Sequence, residues 1–396
     1  MYSIAPNVKS DTTVTLLTAI AIILIAVFLQ NTFDSKQVLL FLIGAGLGIS
    51  LYHAAFGFTG GWRNFIRERR SAGIRAQLLL FGICTVLFFP ILGEIFPQLS
   101  VQGANAPVGV SIMIGSFLFG IGMQLGGGCG SGTLFTVGGG HVRMLITLCF
   151  FIVGAFIGSM HLHWWLSLPS MGTISFIQLL GWLPALLIQL GVLAALYVSV
   201  IKMEAYRNKE VADLRISESN DNIPAKLLFG PWPLWWGAIS IAILSFITLL
   251  VAGHTWSITF AFGLWGAKIW AALGGNVAAL PYWSSGYPSQ ALEQSVLADT
   301  TSLMNFGIIL GAVLAAALAG KFAPESKLNW NGLVSAVMGG LLLGYGARLA
   351  FGCNIGSLFA GISSGSLHGW LWLVTGFIGN IVGVYFRSLL KLDQPN

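Results

Sequence analysis

One stretch of this 396-residue chain occurs twice. Gly115 to Val137 (GSFLFGIGMQLGGGCGSGTLFTV) and Gly339 to Gly361 (GGLLLGYGARLAFGCNIGSLFAG) agree at ten of 23 positions when laid over each other at an offset of 224. Gly120, Gly122, Leu125, Gly128, Cys129, Gly132, Leu134 and Phe135 fall on Gly344, Gly346, Leu349, Gly352, Cys353, Gly356, Leu358 and Phe359. An internal repeat of this strength constrains the architecture more than any single residue does. Each copy reads as an apolar helix, a glycine-rich break carrying a cysteine, and a second short apolar run. Inside a bilayer, backbone outside a helix is tolerated only where protein buries it or water reaches it. A glycine-rich break at membrane depth therefore points to a pore or a substrate site, and glycine also removes the Cβ that would hold a ligand off the backbone. Duplicated halves with broken helices around a midplane site are a recurring transporter plan.

The bilayer follows from composition. The chain is 56% hydrophobic and 8% charged, against about a quarter charged in an ordinary soluble domain. Fifty-one glycines suit helices that approach closely in lipid. The four cysteines, Cys84, Cys129, Cys149 and Cys353, include no CxxC pair, so neither a zinc site nor a thioredoxin motif is indicated. No nucleotide loop, haem ligand pair or flavin motif is present, which argues against an ATP-driven pump and against an enzyme, and leaves no cofactor to expect. Val14 to Leu29 lacks a strongly basic start and a cleavage site, and reads as a retained first helix.

Further apolar segments run Val38–Phe58, Leu78–Phe96, Val108–Leu125, Val142–His161 and Leu183–Ile201. After a polar linker they resume at Leu234–Val251, Ile258–Leu273, Leu303–Ala319, Leu333–Ala350 and Trp370–Leu390. The basic loop holding Arg63, Arg67, Arg69, Arg70 and Arg75 should face the cytoplasm. If every later segment crossed, Lys321, Lys327, Arg387 and Lys391 would fall outside, which the positive-inside rule disfavours. If Ile258–Leu273 dips in without crossing, all four fall inside. That segment is short, ends in Gly274-Gly275 and carries Lys268, so it is the re-entrant candidate. The expectation is an all-α polytopic membrane protein of about ten crossings plus re-entrant segments. It has two pseudo-symmetric, inverted halves and both termini in the cytoplasm. The halves are residues 1–201, with an added first helix and a linking helix, and 227–396, joined by a cytoplasmic linker, 202–226.

Cys129 and Cys353 are one position in two copies. A free cysteine is often a small buried hydrophobe, but both sit in glycine-rich breaks; a neutral thiol is a weak donor, and an apolar site keeps it neutral. With their neighbours Gly128, Gly130, Gly352 and Asn354 they form the candidate substrate-binding set. Arg348 enters the second break; a charge at that depth suggests function, either attracting an anion or holding carbonyls of the break. Lys268 either does the former or snorkels at a helix end. His141 and His368 each follow a break and read as interfacial anchors, with proton coupling the alternative; Cys84 and Cys149 read as core packing. Gly154-x-x-x-Gly158 and Gly379-x-x-x-Gly383 read as helix-packing motifs. The short runs Ser131–Thr136 and Ile355–Ala360 would present helix N-termini, which favour an anion.

Three motifs resemble those of the YeeE/YedE family of bacterial inner-membrane sulfur transporters. AFGFTGGWRNF (Ala55 to Phe65) is similar to the family's first signature, GMQLGGGCGSGT (Gly122 to Thr133) to its second and GYGARLAFGCNIGS (Gly344 to Ser357) to its third. The likeness covers roughly residues 38 to 390. It implies uptake of a small sulfur oxyanion, thiosulfate first, handed between cysteine thiols in a narrow central passage of an inverted-repeat fold. It also implies a bacterial inner-membrane location. Its partners would be the anion, the lipid bilayer and a cytoplasmic sulfur-carrier or rhodanese-like protein, and no nucleic acid. Family members often carry a cysteine where this chain has Gly57, so Gly57 joins the candidate set while the thiol relay shortens to Cys129 and Cys353. That departure keeps open another small sulfur or selenium species as cargo. An intramembrane thiol oxidoreductase is the third alternative.

Overall fold

A computed structural model describes residues 10–214, 223–323 and 328–392. Lys327, the middle of the linker and both chain ends lie outside the described residues. The first half contains α1 (Thr12–Thr32), α2 (Ser35–His53), α3 (Phe58–Glu68), α4 (Ala72–Leu92), α5 (Val110–Gly126), α6 (Gly130–Gly138), α7 (Val142–Leu166), α8 (Phe176–Leu180) and α9 (Trp182–Asn208). Then follow α10 (Ile223–Phe229), α11 (Leu234–Ala252), α12 (Thr259–Ala272), α13 (Gly286–Glu293), α14 (Thr300–Leu318), α15 (Trp330–Leu349), α16 (Ala360–Ser363) and α17 (Leu367–Leu389). Between α15 and α16, Asn354–Phe359 winds as a π-helix. Two short strands, Pro107–Gly109 and Ser170–Thr173, pair antiparallel beyond the ends of the helices they join.

Among the described residues, ten stretches are long and apolar enough to cross a membrane. Three of them continue through a break: α2 into α3, α5 into α6, and α15 through the π turn into α16. α12 is not among them. Its 14 residues span about 21 Å at 1.5 Å per residue, short of a hydrocarbon core of about 30 Å. α1 lies against α2 and α14, with most of its surface turned outward.

The repeated glycines are where the helices touch. α5 and α15 cross directly: a Cβ on Gly122 would come 2.7 Å from the Leu343 nitrogen, and one on Gly346 would come 2.7 Å from the Phe119 nitrogen. A Cβ on Gly120 would run into the Gly376 carbonyl of α17, and one on Gly344 into the Phe151 carbonyl of α7. Gly154 of α7 lies on the Leu341 carbonyl and Gly379 of α17 on that of Phe117. So α5 packs on α17 as α15 packs on α7, and each contact has a counterpart about 224 residues away. The packing reading of both G-x-x-x-G motifs matches these contacts.

The structure departs from the sequence reading at several residues. The basic stretch from Arg63 is not an open loop: α3 runs to Glu68 and α4 starts at Ala72. Arg75 is buried, donating to the Ser71 hydroxyl at 2.9 Å and to the Ala212 carbonyl. Beside it the buried Glu204 carboxylate accepts from Ser71 and, at 3.2 Å, from the Ala212 N–H. A buried carboxyl group is costly without such partners; these bonds pin the start of the linker to the α3–α4 turn. Cys149 is exposed on α7 rather than in the core, whereas Cys84 is buried. His368 is buried and bonded to Ser366 Oγ at 2.7 Å, so it is no interfacial anchor.

Candidate functional site

Each cysteine ends its glycine break by capping the helix that follows. Cys129 is the N-cap of α6, with φ −88° and ψ −167°. Cys353 is the N-cap of the π turn, with φ −88° and ψ −165°. The Cys129 sulfur accepts the Gly132 N–H at 3.4 Å, and the Cys353 sulfur accepts that of Ile355 at 3.4 Å. N-terminal N–H groups have no partner within their own helix, so the two thiols answer the same local need. Both cysteines are fully buried.

The two breaks meet. A Cβ built on Gly130 would stand 2.8 Å from the Cys353 sulfur and 3.5 Å from Ile258 Cγ2. Any larger residue at position 130 would displace that thiol. Gly356, three residues after Cys353, lies against Ser257, whose Oγ would be 3.0 Å from a Cβ there. The segment between α11 and α12 thus forms a wall beside the second cysteine. Its signal in the sequence was the re-entrant Ile258–Leu273 segment; Ser257 itself carried none.

On the side of the first break, Gly57 and Gly128 line one cavity of about 450 Å³ with Arg63, Arg70, Gly127 and Gly132. Gly57 N-caps α3, and a Cβ there would find its nearest neighbour, Phe135 Cζ, at 4.0 Å. The Gly57 carbonyl accepts Gln77 Nε2 at 3.4 Å, and Gln77 Oε1 accepts the Trp62 indole N–H at 2.8 Å. The carbonyl of Ile258, the N-cap of α12, accepts Asn305 Nδ2 at 2.9 Å. In both places a carboxamide from a neighbouring helix donates to a carbonyl at a helix N-terminus.

The remaining candidates separate. Gly352 has φ +157°, and a Cβ there would press to 2.8 Å on the backbone of Gly356 and Ser357, so the chain folds back on itself at this residue. Asn354 is fully buried, and among the described residues neither end of its carboxamide has a hydrogen-bond partner. A buried amide left so costs about 1–3 kcal/mol. Arg348 holds no carbonyl of the break. Its Nη1 donates to Tyr282 Oη at 2.6 Å, and its guanidinium lies 4.7 Å from the Tyr282 ring centroid and 5.9 Å from that of Phe260. Among the described residues its buried Nε has no hydrogen-bond partner. Lys268 donates to the carbonyls of Leu292 and Gln294 at 2.7 and 2.6 Å, which ties α12 to the segment after it. No cluster of three metal-ligating side chains occurs among the described residues.

The pattern of the sulphur-transport family matches residues 53–382. The chain belongs to that family. A protein of Spirochaeta thermophila named thiosulfate transporter TsuA is 28% identical over 359 residues, covering 86% of this chain and 95% of that protein. The Escherichia coli protein of the same name is 24% identical over 362 residues, 89% of this chain and 94% of that one. A probable transporter YedE of Salmonella typhimurium is 33% identical over 154 residues, 38% of this chain and 37% of its own length. With ten membrane-length stretches and relatives named as transporters, the chain is a multi-pass membrane protein of the sulphur-transport family, not an enzyme. α1 lies outside the matched residues.

Proposed function

We propose that this protein carries a small sulfur oxyanion, thiosulfate first, inward through a narrow passage at the meeting of the two breaks. The observation that carries the reading is the pair of buried thiols, each the N-cap of the helix after its break, with Gly130 pressed against the Cys353 sulfur. The two large-coverage relatives bear the name thiosulfate transporter, which supports the cargo. The anion approaches by way of Arg348, whose unpaired Nε and aromatic setting leave its charge available. It passes Cys353 and then Cys129, and leaves through the cavity lined by Gly57 and Gly128. Thiols and the Asn354 carboxamide make weak contacts, and conduction needs binding weak enough to release. On this reading residues 1–201 and 227–396 are inverted halves about a pseudo-twofold axis, a view that the reciprocal glycine contacts support. The protein sits in the inner membrane with both termini in the cytoplasm, where a sulfur-carrier or rhodanese-like protein receives the cargo. One observation favours a second cargo: Gly57 stands where family members often have a thiol, which suits another small sulfur or selenium species.

The test is growth of a sulfur-auxotrophic host on thiosulfate alone, with uptake of labelled thiosulfate. Cys129→Ala and Cys353→Ala are each expected to slow uptake while leaving protein yield near normal. Loss of a hydrogen bond to a charged group costs about 1.5–3 kcal/mol, or roughly ten- to hundredfold in rate if it falls on the barrier. Serine at either position keeps a donor but loses the soft sulfur, and is expected to rescue poorly. Full uptake by both alanine variants would remove the thiols from the mechanism.

A further inference from the structure

The two breaks use one carbonyl differently. In the first, the Cys129 carbonyl accepts both the N–H and the side-chain hydroxyl of Thr133, each at 2.8 Å. A carbonyl has two lone pairs, and these bonds fill them. In the second, the Cys353 carbonyl accepts the Ser357 N–H at 3.0 Å and the Leu358 N–H at 3.4 Å. The bond from Leu358 spans five residues, as a π turn requires. It takes the place that a hydroxyl holds in the first copy. Ser357, the counterpart of Thr133 at the offset of 224, is thereby released. It is fully buried, and among the described residues its Oγ has no hydrogen-bond partner.

The Asn354 carboxamide is in the same state at both ends. Its counterpart is Gly130, which has no side chain to satisfy. Cys129 Sγ and Ser131 Oγ, 3.5 Å apart, share a bond. The first break thus satisfies its own polar side chains, while the second leaves Asn354 and Ser357 open in the turn that its thiol caps. Buried polar groups left open in a native protein call for a missing partner, and π turns concentrate at functional sites. A hydroxyl and a carboxamide can each donate, so one partner that serves both is an oxygen acceptor. Ser257 packs on Gly356 of the same turn, which shields the place from water and strengthens such bonds. Resting on the transport reading above, we propose that Ser357 and Asn354 hold the oxygen atoms of the cargo while it passes Cys353. The second break then selects a sulfur oxyanion over a sulfur species that carries no oxygen.

The experiment is uptake of labelled thiosulfate into proteoliposomes holding the full-length protein. Ser357→Ala and Asn354→Ala should each raise KM about fivefold with the maximal rate nearly unchanged, as loss of one binding contact does. Ser245→Ala is the control. It removes another fully buried hydroxyl without a hydrogen-bond partner, on α11 outside both breaks, and should leave KM unchanged. Sulfite should compete with thiosulfate, hydrosulfide at the same concentration should not, and sulfite should compete less well in Ser357→Ala. Asn354→Ala carries the test if Ser357→Ala alters the size-exclusion profile. An unchanged KM in both variants overturns the proposal, since water rather than cargo then bonds to these groups. So does an equal rise in Ser245→Ala, or equal competition by hydrosulfide and sulfite. A parent protein that takes up no thiosulfate gives a different result: it defeats the transport reading, and this site falls with it.

Discussion

The two breaks hold the same cysteine on different frames. Cys129 and Cys353 share φ −88°, with ψ of −167° and −165°, and each sulfur takes one backbone N–H at 3.4 Å. The first break turns on Gly127 at φ +90°, continues into a regular α-helix and borders an open cavity. The second turns on Phe351 at φ +59°, a left-handed conformation that costs a residue with a side chain about 1–2 kcal/mol. It continues into a π turn that encloses Asn354. Strain of this kind persists only where the surroundings enforce it. What the two copies keep in common is the thiol cap; what they vary is how open its surroundings are.

The comparison breaks most completely if its shared frame is removed. Gly120→Leu and Gly344→Leu each drive a side chain into a facing backbone carbonyl. Each is expected to cost more than the 1–3 kcal/mol usual for overpacking and to abolish the monodisperse size-exclusion peak. Tolerance of one and not the other would mean that the reciprocal contacts are unequal. Next in size is an exchange between the breaks. Gly130→Asn puts a Cβ 2.8 Å from the Cys353 sulfur, and uptake should fall by about tenfold or more, equivalent to at least 1.4 kcal/mol on the barrier. Asn354→Gly creates no clash and should slow uptake by a smaller factor. Equal losses would make the Gly/Asn difference incidental.

Gly57→Cys sharpens the comparison on the open side. The cavity leaves room for the thiol, so uptake should stay within about twofold, and an anionic methanethiosulfonate should label it faster than buried Cys129, since reactivity follows exposure. Equal labelling rates would show that the cavity does not admit the reagent. The smallest effects belong to Cys84→Ala and Cys149→Ala, which lie outside both breaks. Uptake should be unchanged, with stability lowered by about 1 kcal/mol at buried Cys84 and by less than about 0.5 at exposed Cys149, as thermal unfolding in detergent would record.

Much of this was legible in the sequence because close approach leaves a chemical trace. Where two helices touch backbone to backbone only glycine fits, so Gly120, Gly122, Gly344 and Gly346 stand in both copies, though nothing in the sequence said which helices they join. α12 was legible because its apolar run is short and stops at Gly274-Gly275, the first of them left-handed. Partners brought together from afar left no trace. Nothing near Arg75 in sequence foretells Glu204, and nothing near Ile258 foretells Asn305. The π turn was equally hidden, since Asn354–Phe359 differs little in composition from the α-helical Gly130–Phe135. Arg348 was recognised as unusual, but its neighbour Tyr282 lies in a segment with no helical periodicity to place it.

The reciprocal glycine contacts have a consequence for the protein's ancestry. Residue 122 meets 343 as residue 346 meets 119, and residue 120 meets 376 as 344 meets 151. An interface in which i meets j and j′ meets i′ is isologous, the kind that closes a two-fold homodimer without leaving a free surface. A polypeptide half this length could therefore have made each of these contacts twice with a second copy of itself. Joining the copies into one chain would have freed each to diverge, so that the position held by Gly130 in one is held by Asn354 in the other. Two separately expressed halves, cut within residues 215–222, should accordingly still find each other in the membrane.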